Sequence, residues 1–399
     1  MRYAYFPGCS ATATGISFTL SAGYVGERIG MELAEIPDWC CCGTSAALVT
    51  DGDLAVALPA RSLALAERMD PGLTVATPCA GCYSSLKAAV HYARASEKNR
   101  RHLEELIEMP YEACADVMSF LEVMALPENR EAIASALTSS LHGLKVASYY
   151  GCALVRPVEV CAFDDPEDPQ SMDGLMAIAG AEPVEWAFKT ECCGASHQIS
   201  EPKAARRLIE RIFEDAAACG AEAIATACPL CLLNLDMREQ EINTQRAARG
   251  AVPFDIPVYY FTELLGIAMG GSMRQLGIDR HFWPAEDTAR TAGTEPAEVA
   301  APEAPTPVAS AAPAPEAAPA PAAPAASISA AASTFPSLGG GSSARETRSV
   351  SSENGPIGPR AARSAGVVST EAPTSTAPDV GPAPDLIPIP QADREAVAP

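Results

Sequence analysis

Two hydrophobic periodicities alternate along residues 1–284. Short apolar and aromatic runs that stop at glycine occur at Tyr3–Phe6 and Val146–Tyr150, the pattern of strands buried on both faces. Leu73–Thr77 and Ala223–Thr226 are second apolar runs, each leading directly into a Cys-x-x-Cys turn. Ser84–Ala95 and Lys203–Ala218 place apolar residues at helical spacing with charges between, and Leu232–Ala248 predicts a more polar helix. Strands alternating with helices predict an α/β fold with a parallel or mixed sheet. Sites in such sheets form at the carboxyl ends of strands, where Cys9, Cys79, Cys152 and Cys228 fall.

The pattern occurs twice. Arg2–Cys9 aligns with Lys145–Cys152, Cys41-Cys42-Gly43 with Cys192-Cys193-Gly194, Val75–Cys82 with Ile224–Cys231, and Val117–Glu122 with Val258–Glu263. Four matches in one order predict an internal duplication, with units at residues 1–125 and 143–270.

Composition then divides the chain. Residues 285–399 hold 19 of the 35 prolines, none of the 14 cysteines and one aromatic residue, Phe335. So little apolar surface cannot offset chain entropy, and this Ala/Pro-rich tail is expected to be disordered. Residues 1–284 carry 22 basic against 37 acidic residues, within a net charge of −22 for the chain. No basic stripe favours nucleic acid, and no apolar run is long enough for a membrane span. The start lacks a secretory apolar region, so a cytoplasmic location is expected and the cysteines read as metal ligands or redox thiols.

Each copy repeats five thiols: Cys9, Cys41, Cys42, Cys79 and Cys82, then Cys152, Cys192, Cys193, Cys228 and Cys231. A Cys-x-x-Cys alone is equally a redox dithiol or a zinc knuckle, and a Cys-Cys pair alone is two small buried hydrophobes. Repetition of the whole set points to a shared metal cofactor, soft thiolate suiting iron–sulfur clusters, zinc or copper(I). A structural zinc or an ordinary cubane takes four ligands, so a fifth thiol fits neither well. Adjacent cysteines in a strand would face opposite ways, so Cys41-Cys42-Gly43 is expected to turn. Cys114, Cys161 and Cys219 have no counterpart and read as buried structural thiols. Cys40, beside a ligand pair, is open between bystander and substitute ligand. His197 reads as a hydrogen-bond donor to the site, a substrate contact, or a partly exposed residue at a helix start.

Gly-Cys after the first strand, Cys-Cys-Gly, then Cys-x-x-Cys, all duplicated, resembles the cysteine-rich (CCG) domain family, in the branch formed by the B-type subunits of heterodisulfide reductases. Phe6-Pro7-Gly8-Cys9, Cys79-Ala80-Gly81-Cys82-Tyr83 and Phe261–Gly270 carry the resemblance over residues 1–270. It implies two noncubane [4Fe–4S] clusters, one on each set of five cysteines, that reduce a small-molecule disulfide by one-electron steps. It also implies two partner subunits, a ferredoxin-like iron–sulfur protein (C-type) and a flavoprotein (A-type), since no flavin or ferredoxin motif stands in the chain. Two other readings remain. One is an electron-transfer CCG subunit of a succinate/fumarate, lactate or glycolate oxidoreductase. The other is a non-catalytic zinc-binding interaction module.

Overall fold

The computed structural model describes residues 1–282; the expected tail disorder concerns 285–399 and lies outside them. The first half builds β1 (Arg2–Tyr5), α1 (Ile16–Arg28), β2 (Glu32–Glu35), α2 (Thr44–Thr50), α3 (Gly52–Met69), β3 (Val75–Thr77), α4 (Ala80–Ala95), α5 (Glu97–Ile107), β4 (Val117–Ser119), α6 (Phe120–Met124) and α7 (Pro127–Ala136). The second builds β5 (Lys145–Tyr149), α8 (Val158–Cys161), α9 (Ser171–Ile178), β6 (Glu182–Pro183), α10 (Pro202–Ala218), β7 (Ala223–Thr226), α11 (Pro229–Ala248), β8 (Val258–Tyr260), α12 (Phe261–Ala268) and α13 (Met273–Leu276).

Two four-stranded parallel sheets result, ordered β2-β1-β3-β4 and β6-β5-β7-β8, so the expected α/β fold and its duplicated topology are both present. Helices cover the strands, and Ala4, Val75, Ala76, Val146, Ile224 and Ala225 in the central strands are fully buried, as double-faced burial requires. The edge strands β2 and β6 carry polar residues or proline and escaped the apolar pattern.

The halves interlock. Helix α1 of the first half packs on α12 of the second, and α9 of the second half packs on α6 of the first. At the larger contact Phe18 stacks on Tyr260 with ring centroids 4.3 Å apart, and its edge meets Phe120 and Phe261. The Ser21 and Thr262 hydroxyls lie 2.6 Å apart in the buried seam, and Arg28 donates to the Met269 carbonyl at 2.7 Å. Buried residues of both halves form one continuous core.

One buried acid lies apart from the cysteines. Glu239 on α11 is fully buried; its Oε1 accepts from the Ile256 amide at 3.4 Å and its Oε2 has no partner. Burial, reinforced by Asp236 and Asp255, pushes its carboxyl from the ordinary 4.5 up to about 8. The folded chain therefore holds this proton more tightly than the unfolded chain, and stability falls as pH rises from about 4.5 to about 8. Glu239→Gln should flatten that part of the pH–stability curve in urea titrations. A slope unchanged by the substitution would exclude Glu239 as its source.

Candidate metal centre

Each sheet delivers its cysteines from equivalent places. Cys9 and Cys152 follow β1 and β5 through Gly8 and Gly151, both at positive φ (+74° and +67°). A Cβ on Gly8 would stand 2.8 Å from the Cys82 Sγ, and one on Gly151 3.2 Å from the Cys231 Sγ. Glycine is needed there for both conformation and space. Cys41-Cys42 and Cys192-Cys193 end in Gly43 and Gly194, again left-handed (+77° and +75°), so the first pair turns as expected and the second turns likewise. Each glycine amide turns back onto the first cysteine, Gly43 to the Cys41 Sγ at 3.5 Å and Gly194 to the Cys192 Sγ at 3.3 Å.

The Cys-x-x-Cys segments differ from the turn expected of them. Cys79 and Cys228 cap the amino ends of α4 and α11, and Cys82 and Cys231 lie in the first helical turn. Residues three apart share a helix face, so this geometry aims both thiols one way. The helix amino terminus also favours negative charge on sulfur.

The thiols meet in pairs. Cys9 and Cys41 approach to 3.5 Å, Cys42 and Cys82 to 3.3 Å, and Cys193 and Cys231 to 3.6 Å. Cys152 contacts Cys192, and Cys79 contacts Cys228 across the halves. Such neighbours cannot all ionise together. A thiol bond from Cys82 pulls Cys42 down to about 7, and one from Cys152 pulls Cys192 down to about 6. Cys228 is likewise held low, by Cys231 and Cys79, while their partners Cys82, Cys152 and Cys231 are pushed up by the same contacts. Burial raises Cys41 to about 11.

Cys79 and Cys228 are equivalent positions, as are Ser45 and Ser196, whose hydroxyls lie 3.2 Å apart. A residue that touches its own counterpart lies on a two-fold axis. The two sets of five thiols therefore abut at the pseudo-two-fold axis of the chain.

Several supporting residues carried no cysteine signal. Ser85 and Asn234, each three residues beyond the second cysteine of its Cys-x-x-Cys, hydrogen-bond to the Cys42 and Cys193 thiols, and Asn234 also donates to the Cys193 carbonyl at 2.6 Å. Helical spacing from Cys82 and Cys231 would have located them. Tyr5 and Tyr149, the last residues of β1 and β5, are buried beside the sets, and burial raises both phenols. The Tyr149 hydroxyl donates to the Glu191 carbonyl at 2.6 Å.

The remaining cysteines divide differently from expectation. Cys161 is buried, and the Tyr83 hydroxyl donates to its carbonyl at 2.8 Å. Cys114 and Cys219 are exposed rather than buried, since one lies in the loop after α5 and the other caps the carboxyl end of α10 at the surface. Cys40 turns from the set, its thiol 3.5 Å from the Leu58 carbonyl and 3.9 Å from the Ser62 hydroxyl on α3. His197 is exposed at the end of a 3-10 turn, where it helps hold Cys192 low.

The donor set fits an iron–sulfur group. It is all sulfur, is crossed by glycines that keep Cβ atoms away, and has the buried, unpartnered hydroxyl of Tyr260 beside Cys79, Cys228 and Cys231. Among the described residues no three ligating groups converge as a single-ion cage. A cleft of about 380 Å³ opens on the second set, lined by its five cysteines. The first half supplies the facing wall from α2, α3 and α4.

The cysteine-rich (CCG) domain pattern matches residues 3–87 and 146–236. The membrane anchor subunit of the 8-methylmenaquinol:fumarate reductase of Wolinella succinogenes is 30% identical over 70% of this chain and 96% of its own length. The B subunit of the ferredoxin/F420H2-dependent CoB-CoM heterodisulfide reductase of Methanosarcina acetivorans is 29% identical, over 64% of this chain and 85% of its own. A heterodisulfide reductase B-subunit-like protein of Archaeoglobus profundus is 28% identical over 68% and 91%. A hypothetical protein of Helicobacter pylori shares the fold at a TM-score of 0.57, with 14% identity, 70% of this chain and 51% of that one covered. The Wolinella and Methanosarcina relatives are named as subunits of reductases, and no helix among the described residues of this chain is long and apolar enough to cross a membrane.

The glycines before Cys9 and Cys152 give a direct test of the packing. Gly8→Ala adds a Cβ against the buried Cys82 sulfur on top of the left-handed backbone cost of about 1–2 kcal/mol. Gly30→Ala, at φ +68° with open space around it, carries the backbone cost alone. Urea midpoints should rank Gly8→Ala the least stable, Gly151→Ala next and Gly30→Ala closest to the parent. Equal loss at Gly8 and Gly30 would mean that the sulfur contact has no influence.

Proposed function

Since this chain belongs to the cysteine-rich (CCG) domain family that includes the B subunit of heterodisulfide reductase, we propose that it is the disulfide-reducing iron–sulfur subunit of an oxidoreductase complex. The single observation behind this reading is the meeting of two equivalent five-thiol sets at one axis beside one cleft. Residues 1–125 and 143–270 are taken as the two cysteine-rich domains. Cys9, Cys41, Cys42, Cys79 and Cys82 would hold one [4Fe–4S] cluster of noncubane type, and Cys152, Cys192, Cys193, Cys228 and Cys231 the other.

Bound there, the clusters would supply single electrons at two adjoining centres. Cleaving a disulfide to two thiols consumes two electrons and two protons. The chain contributes the arrangement. Cys79 and Cys228 bring the two centres into contact, Gly43 and Gly194 amides offset charge on Cys41 and Cys192, and the cleft admits substrate to the second set. Electrons would enter from a ferredoxin-like iron–sulfur partner fed by a flavoprotein, in the cytoplasm.

A second reading has its own support: the Wolinella relative is named for a fumarate reductase rather than a disulfide reductase. In that case the chain passes electrons to or from a flavin dehydrogenase and reduces no disulfide.

Metal content comes first. Anaerobically purified protein should be brown and hold about eight iron atoms per chain, two four-iron clusters' worth. Stoichiometric zinc in a colourless protein would refute the cluster assignment and favour the zinc module. Cys40→Ala should leave iron unchanged, because its thiol faces α3, while Cys41→Ala or Cys42→Ala should lose the first site's iron. Halved iron in Cys40→Ala would mean that the ligand pair is misassigned.

Function is tested by breaking one set at a time. Cys82→Ser and Cys231→Ser should each abolish nearly all disulfide reduction with an artificial one-electron donor, because groups acting as a unit fail together. Retention of about half the rate in each would mean independent sites. Intact clusters that reduce no disulfide, yet exchange electrons with a flavin dehydrogenase, would select the second reading.

A further inference from the structure

The surface that continues from the second thiol set carries charge opposite to the rest of the chain. Residues 1–284 hold 22 basic against 37 acidic residues. Yet α10, which follows the Cys192-Cys193-Gly194 turn, presents Lys203, Arg207 and Arg211 to solvent. Residues four apart form one ridge along a helix, here about 12 Å long at 1.5 Å per residue. Among the described residues Lys203 and Arg207 meet no carboxylate, and Arg211 only covers the Phe188 ring, 5.1 Å from its centroid. The acids of α10 are engaged elsewhere, Glu210 and Glu214 by Arg246 and Asp215 by the Ala187 amide. The turn before α10 adds an apolar point, for Ile199 is 97% exposed. The Glu201 amide donates to the His197 carbonyl at 2.8 Å, so the chain passes from exposed Cys192 through Ile199 into the ridge without a break. The first half has no such face. Counting on from Gly43, the match of Gly194, the positions of Lys203, Arg207 and Arg211 are taken by Gly52, Val56 and Ala60, with Asp51 and Asp53 exposed beside them.

We propose that the ridge of α10, with Ile199 at its head, is the docking face for a small acidic one-electron carrier protein, and that electrons enter this chain at the second thiol set. The inference rests on the iron–sulfur reading above and specifies the partner's chemistry and the port. An exposed apolar side chain beside unpaired charge of one sign is the pattern of an interaction surface. The chain's general negative field repels an acidic protein, so the three cations confine its approach to this face. Seated there, the carrier stands on the half that exposes Cys192, whereas the exposed Cys9 and Cys41 of the first set belong to the half without a ridge. Glu191 and Glu201 are the exposed acids of the turn, so the attraction comes from the ridge rather than from the turn. A nucleic acid would find three cations and no use for Ile199. The step moves one electron from the carrier, which is oxidised, to the centre held by the second set, which is reduced; no bond forms or breaks.

The test is anaerobic binding of an oxidised, acidic plant-type [2Fe–2S] ferredoxin to the iron-loaded, full-length protein. Calorimetry should find a complex at about 0.02 M ionic strength that weakens at least tenfold by about 0.3 M. Lys203→Glu, Arg207→Glu and Arg211→Glu together should weaken it about tenfold or more at low salt. Arg68→Glu, Lys98→Glu and Arg274→Glu together make the same charge change at exposed positions elsewhere, and should cost less than about threefold. Ile199→Ser should weaken the complex several-fold and leave its salt dependence unchanged. Carbodiimide cross-linking should join the ferredoxin to Lys203 in preference to the other four lysines, Lys87, Lys98, Lys145 and Lys189. Equal loss in the two triple variants, or no complex with the parent protein, overturns the proposal. So do cross-links through another lysine, or from Lys203 to carboxylates of residues 283–399 of the same chain, or tighter binding of a single-stranded DNA 20-mer. Electron transfer from the reduced ferredoxin separates this from the broader reading. Docking and electron uptake that depend on the ridge, with no disulfide reduced, keep the port and remove the reductase. Disulfide reduction driven by an artificial donor, alongside ferredoxin docking indifferent to the ridge, does the reverse.

Discussion

Bringing ten thiols together in contacting pairs, six of them buried, is the constraint that organises this protein. Sulfurs at 3.3–3.6 Å cannot all carry charge, and buried thiols without charge gain little from one another. The fold must supply the free energy to gather them. It does so by ending parallel strands at glycines and by starting α4 and α11 on cysteines, where backbone amides and the helix dipole favour sulfur anions. Parallel sheets suit the task because every strand delivers its carboxyl end to the same edge.

Two-fold repetition multiplies that effect. Each half brings one set of five, and only residues close to the axis can touch their own counterparts. Cys79 with Cys228 and Ser45 with Ser196 do so. The result is a single composite centre, though the sequence carries two separate motifs. Relatives named for disulfide reduction and for fumarate reduction both match this chain over most of their own length.

Much of this was legible in the chain. The repeat announced the duplicated α/β topology, and strands such as Ala223–Thr226 follow the apolar runs closely. Cys41-Cys42-Gly43 indicated a turn because adjacent cysteines cannot share a strand face, and Gly43 is left-handed as that requires. Other features had no local signal. Strands β2 and β6 are short, polar edges whose pairing depends on β1 and β5 rather than on their own residues. Ser85 and Asn234 differ in chemistry, so the repeat conceals their equivalent roles. Cys114 and Cys219 are exposed because thiol burial follows the position of an element, which residue type does not fix. The cleft too is tertiary, its floor and facing wall coming from different halves of the chain.

The exchanged helices have a consequence for how the protein comes apart. With α1 seated on α12 and α9 on α6, neither half can loosen without uncovering the aromatic seam of the other. Tandem repeats joined by a simple linker melt as independent modules, each with its own transition. Here the shared core and aromatic seam couple the two halves, so that loosening one exposes apolar surface of the other. A chain emerging during synthesis cannot complete the packing of its first half until α12 has been made.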